Sequence, residues 1–145
     1  MSGKSLFSPA TDALTKTLSF LEERHRIIAN NIANADTPFF KAKAAPLEEF
    51  QEALSKAIDR ARSGRAAGLA LKPTRHVADG PSGLVIEPVE ARGADAGILR
   101  HDGNNVNLDK EVSDLAQNAI MHRALSDLLR KQYLMLQSAI RERVD

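Results

Sequence analysis

Ile28-Ala29-Asn30-Asn31-Ile32-Ala33-Asn34-Ala35-Asp36-Thr37-Pro38 is the most informative stretch of the 145-residue chain. Pro38 has no amide donor and disfavours the α region at the residue before it, so a helix arriving here ends at about Asn34 to Thr37. Upstream of it, Leu14, Leu18, Leu21, His25, Ile28, Ile32 and Ala35 recur in steps of four and three. That period is a heptad seam on a helix expected from about 12 to 35, roughly 35 Å long, with Thr11 or Asp12 as its N-cap. Glu22, Glu23, Arg24 and Arg26 fall off the seam and face solvent. Three asparagines within five residues work against the helix, because their amides compete for backbone hydrogen bonds. Two readings of them stay open: a polar helix end with Asn34 as a left-handed cap, or amides that cross-link neighbouring helices and fix axial register.

Pro46 suits the first turn of a second, shorter helix through Leu47, Phe50, Leu54, Ala57, Ile58 and Ala61, closed by Ser63-Gly64. Residues 64 to 107 hold seven of the eight glycines and three of the six prolines. They predict a loop-rich, weakly ordered segment. Its best strand is Leu84-Val85-Ile86-Glu87-Pro88-Val89, which Pro88 demotes to an edge or isolated piece; Asp102-Gly103-Asn104-Asn105 signals a turn. A third helix opens after Asn107, an N-cap candidate, and runs to about Arg143. One four-three seam on it is Leu108, Val112, Leu115, Ala119, His122, Ser126, Leu129, Tyr133, Leu136 and Ile140. A second, out of phase, is Met121, Leu125, Leu128, Gln132, Met135 and Ala139. Two seams make a wide apolar face that one partner helix leaves partly wet.

The expected fold is therefore mainly α: long amphipathic helices at both termini pair as an antiparallel coiled coil, joined by a short helix and a weakly β middle. The expected divisions are a flexible arm at 1–11, helices at 12–62, a Gly/Pro-rich segment at 63–107 and a helix at 108–145. Burying a Leu or Ile contributes about 1.5–3 kcal/mol, and ordering each residue costs about 1–2 kcal/mol. A lone two-helix hairpin is near break-even, so the terminal helices are expected to become firm only when other copies or partners cover the second seam.

Composition excludes several kinds of chemistry. There are no cysteines, hence no disulfides, thiolate zinc sites or thiol nucleophiles. Twenty basic and nineteen acidic residues leave a formal charge of +1, which gives no electrostatic basis for a nucleic-acid partner or an anionic-membrane surface. No apolar run approaches the roughly 20 residues of a membrane span, so no membrane insertion is expected, and Met1 to Ala10 lacks the h-region of a cleaved signal. His25, His76, His101 and His122 share no metal-ligand spacing, and Gly64-Arg65-Ala66-Ala67-Gly68 lacks the Lys-Ser/Thr of a phosphate loop. Asp36 and Asp102 sit in turns, where Asp serves the backbone. No catalytic, metal-binding or cofactor-binding residue is expected, and no cofactor.

Leu21-Glu22-Glu23-Arg24-His25-Arg26-Ile27 leading into the Asn-rich stretch through Pro38, with Lys41 beyond, resembles the N-terminal signature of bacterial flagellar rod and hook proteins. Asp102-Gly103-Asn104-Asn105-Val106-Asn107-Leu108 before a long amphipathic helix resembles their C-terminal region, Thr74-Arg75-His76 a pairing common in their middle. With Asp36 and the ending Leu136-Gln137-Ser138-Ala139-Ile140-Arg141, the chain is most similar to the proximal rod type of flagellar basal body rod protein. The resemblance covers about residues 14 to 50 and 72 to 141.

It implies a non-enzymatic subunit of the shaft that crosses the periplasm, exported by the flagellar type III apparatus without signal cleavage. Its implied partners are copies of itself, other rod subunits, a ring-proximal adaptor and the export apparatus. Seams and resemblance together nominate Leu14, Leu18, Leu21, Ile28, Asn30, Asn31, Ile32 and Asn34, against Leu115, Leu125, Leu129, Leu136 and Ile140, as subunit-interface residues. The alternatives are a sibling rod subunit, or a cytoplasmic helical adaptor or chaperone. One departure stands out: Phe39-Phe40 follows Thr-Pro where the family has Gly then an aromatic, and losing that glycine predicts a reshaped turn.

Overall fold

The computed structural model describes residues 9–65, 68–81 and 83–142. Residues 1–8 of the expected arm and the last three residues of the expected terminal helix lie outside them. Helix α1 spans Pro9–Ala33. It starts three residues ahead of the expected boundary because proline is pre-set for a first helical turn. Thr11 is buried and its hydroxyl donates to Gln132 Oε1 at 2.6 Å. Strand β1 is Lys43–Ala44 and helix α2 is Leu47–Arg62. Helix α2 ends as its sequence predicts: Gly64 takes φ 68°, and the Arg65 amide reaches back to Arg60 O.

The middle segment is more committed than its composition suggests. Strands β2 (Val77–Gly80) and β3 (Gly83–Ile86) form an antiparallel hairpin in which Val77 faces Ile86. Thr74 prepares it, accepting the Val77 amide on its hydroxyl. The expected strand then breaks at Glu87-Pro88, and β4 (Val89–Glu90) turns away to pair with β1. A short 3₁₀ turn follows at Gly93–Asp95. Helix α3, Leu108–Glu142, opens on the predicted cap, with Asn107 Oδ1 accepting the Lys110 amide at 3.2 Å.

Two apolar clusters hold these elements. In the larger, Phe20 stacks on Phe50 with ring centroids 4.3 Å apart, and Leu21, Ala53, Ala57, Leu69, Leu71, Val77 and Leu84 close around them. So α1, α2 and the β2–β3 hairpin share one core, four of whose members come from the segment expected to be weakly ordered. The smaller cluster, Ala35, Ala42, Ala91 and Val106, sits where α1 ends and α3 begins. Along α1 and α3, Thr11 meets Gln132, Leu21 meets Asn118 and Asn31 meets Glu111. The two long helices therefore pack antiparallel. None of the described helices is long and apolar enough to cross a membrane.

Candidate assembly interface

The Asn-rich stretch is bonded within its own chain. Asn31 is 1% exposed. Its amide group donates to Lys43 O at 2.7 Å and Glu111 Oε1 at 3.0 Å, while its Oδ1 accepts the Lys43 amide at 3.0 Å. One side chain thus ties α1 to β1 and to the first turn of α3. Burial pushes the Glu111 carboxyl above its ordinary value; the Asn31 bond and the charge of Lys110 act the other way. Beside it, Lys110 bridges Asp114 at 2.6 Å and Asp95 at 3.1 Å, and Arg24 lies 3.6 Å from Asp114. Burial pulls the Lys110 ammonium down, but those two aspartates outweigh it and raise its pKa.

The helix end is capped from a distance. Asn104, fully buried, donates its amide protons among Asn34 O, Ala35 O and Thr37 O at 2.8–3.1 Å, and Arg100 Nη1 adds a bond to Ala35 O at 2.8 Å. These bonds hold the turn that follows α1, where Asn34 O and Thr37 O also accept the Thr37 and Phe40 amides. The left-handed Asn34 cap is therefore not formed: Asn34 bonds back to Asn30 O at 2.8 Å and accepts from the Thr37 hydroxyl. Among the described non-glycine residues only Phe39 has positive φ, at 61°. The turn that glycine would favour is kept, with phenylalanine in it, rather than reshaped.

Asn118, also 1% exposed, donates to Leu21 O at 2.9 Å. The inner row of α3 is then Glu111, Leu115, Asn118, His122, Leu125, Leu129 and Gln132, each buried or half-buried. It is a single four-three series that takes Leu115, His122 and Leu129 from one expected seam and Leu125 and Gln132 from the other, adds Glu111 and Asn118 from neither, and is polar at four of its seven positions. On α1, by contrast, the buried face is broader than a seam, adding Phe20 and Ile27, while His25 is exposed.

Several nominated residues are thus placed inside the chain: Leu21, Ile28 and Asn31 are buried. Leu14, Leu18, Ile32, Asn34, Leu115, Leu125 and Leu129 are half-buried, and Asn30 is exposed. Leu136 and Ile140 lie past Gln132, where the described part of α1 has already ended, so they do not pair with α1 and are exposed. Together with Ile120, Met121, Leu128, Leu134 and Met135 they form a large exposed apolar surface. From Tyr133 to Leu136 four consecutive exposed residues, at about 100° each, ring the helix.

The chain is of the flagellar rod type. Residues 14–41 match the family model described as flagella basal body rod protein. It is similar to the flagellar basal body rod protein FlgB of Bacillus subtilis, 31% identical over 94% of this chain and 96% of that one. FlgB of Borrelia hermsii is 32% identical over 86% and 90%, and FlgB of Escherichia coli 30% identical over 85% and 89%. By these matches the chain belongs to the FlgB family of flagellar basal body rod proteins.

Proposed function

We propose that the chain is a structural, non-catalytic subunit of the proximal rod, transmitting torque across the periplasm between the ring-proximal adaptor and the next rod subunits. The observation that carries this reading is the exposed apolar half of α3. Tyr133 to Leu136 make one turn of α3 exposed and apolar around the helix, a surface that belongs inside other protein, and an exposed apolar patch of this kind marks an interface. The antiparallel α1–α3 pair supplies one wall, and neighbouring copies supply the rest, extending the four-three rows into coiled-coil packing. Unlike contacts at the two ends of each copy suit an open helical assembly. Passage through the type III export apparatus without signal cleavage fits a chain that completes its burial only on assembly.

Purified basal bodies test it. The chain is expected among their components by mass spectrometry, and Leu136→Asp is expected to be expressed at wild-type level yet missing from them, leaving cells non-motile. Swimming cells carrying Leu136→Asp, or basal bodies lacking the wild-type chain, would overturn the reading.

A further inference from the structure

Midway along the α1–α3 pair an acceptor is left unmet. Asn118 is 1% exposed, its Nδ2 is spent on Leu21 O at 2.9 Å, and its Oδ1 has no hydrogen-bond partner among the described residues. A buried amide oxygen left so is a cost to the fold. The same side chain lines a groove of about 440 Å³ between the two helices, in which Leu21 and Ala119 are the apolar members. Glu22, His25, Arg26 and His122 complete the lining. Glu22 Oε1 stands 3.7 Å from His122 Nε2, beyond hydrogen-bond reach, and Arg26 is turned to Glu23 at 2.8 Å. The groove therefore offers two acceptors, a buried oxygen and a carboxylate, to a slender side chain with donors at its tip. Arginine has that form. Its guanidinium carries five donors in a planar fork, keeps its charge, and stacks on rings such as those of His25 and His122.

The chain itself carries such side chains. Arg123, Arg130 and Arg141 are exposed on α3 at spacings of seven and eleven residues, each close to a whole number of turns, so they form one stripe. None of them makes an ion pair among the described residues, although Asp127 stands within four positions of two of them. We propose that the groove beside Asn118 takes an arginine from the α3 stripe of a second copy, whose guanidinium donates to Asn118 Oδ1 and to the Glu22 carboxylate. Groove and stripe are different surfaces, so each copy has one to fill and one to give, which suits an open assembly. The contact rests on the rod reading. It is small, so it is weak singly and strengthened by repetition.

The test measures self-association of the full chain by sedimentation. Asn118→Leu and Glu22→Gln are each expected to weaken it about tenfold, the worth of one charge-assisted bond. At least one of Arg123→Gln, Arg130→Gln and Arg141→Gln should do the same, and combining it with Glu22→Gln should cost nothing further, as a shared contact requires. A second readout does not depend on how these variants fold: the photo-crosslinker p-benzoylphenylalanine at position 26, on the groove, should cross-link to residues 123–141 of another copy, in concentrated solution and in purified basal bodies. A chain that stays monomeric at millimolar concentration, unchanged association in all three arginine variants, or cross-links that map elsewhere would overturn the proposal. Basal bodies that contain the chain but cross-link position 26 to a different subunit sink this contact and leave the rod reading standing. Basal bodies without the chain sink the rod reading, and the solution arm still decides whether groove and stripe meet.

Discussion

Asn104 shows how much one amide can hold. Its protons serve three carbonyls at the end of α1, and its Oδ1 accepts the Val106 amide at 2.7 Å. Truncating it takes the acceptor from the buried Val106 amide and one donor from each of three carbonyls that keep another, at about 1–3 kcal/mol for a buried group that finds no water. Asn104→Ala is expected to lower the unfolding free energy in urea by about 2–3 kcal/mol, and a loss below 0.5 kcal/mol would contradict the capping role. The sequence marked Asn104 only as a turn residue, since its acceptors lie 67 to 70 positions away and leave no local pattern. Glu111 makes a pH prediction. Its folded pKa is raised by burial, so the folded state holds the proton more firmly than the unfolded chain does. Its contribution is full below the ordinary value of 4.5 and declines as pH rises through the folded pKa. Glu111→Gln, which keeps an acceptor for Asn31, should therefore raise stability at pH 7 and flatten that part of the pH profile; lower stability at pH 7 would show that Glu111 works as a needed charge.

Among the elements, helix boundaries were the most legible feature. Pro38, Pro46, Ser63-Gly64 and Asn107 punctuate the backbone by local chemistry, and the ends fall within about three residues of expectation. Which face of α3 turns inward was not legible, because an apolar pattern passes over Glu111 and Asn118 although they stand in step with Leu115, His122, Leu125, Leu129 and Gln132. The pairing of β1 with β4 was hidden for the same reason as the Asn104 cap: Lys43 and Glu90 meet only once the chain has folded. Asn118 makes this row testable. Its Oδ1 is buried with no hydrogen-bond partner among the described residues, a cost a leucine would not carry. Asn118→Leu is expected to stabilise the isolated chain by about 1 kcal/mol, read from denaturant midpoints; a loss of similar size would mean that the Leu21 bond outweighs the stranded oxygen.

Across the whole molecule, the hairpin divides into a clamped end and an open one. From Asn31 to Asn104 buried amides, a charged knot and the small alanine-rich cluster fix how α1 meets α3. Beyond Gln132 the described chain offers α3 little cover. The expectation that ordering waits for assembly therefore narrows to that far half, because the near end holds its own hydrogen bonds. The absence of cysteine gives a clean probe of this division. Leu136→Cys and Met121→Cys should react with a maleimide at nearly the rate of an unfolded thiol in the free protein and at least about a hundredfold more slowly in purified basal bodies, as a buried interface requires. Equal labelling rates in the two states would contradict the claim that other subunits complete this fold.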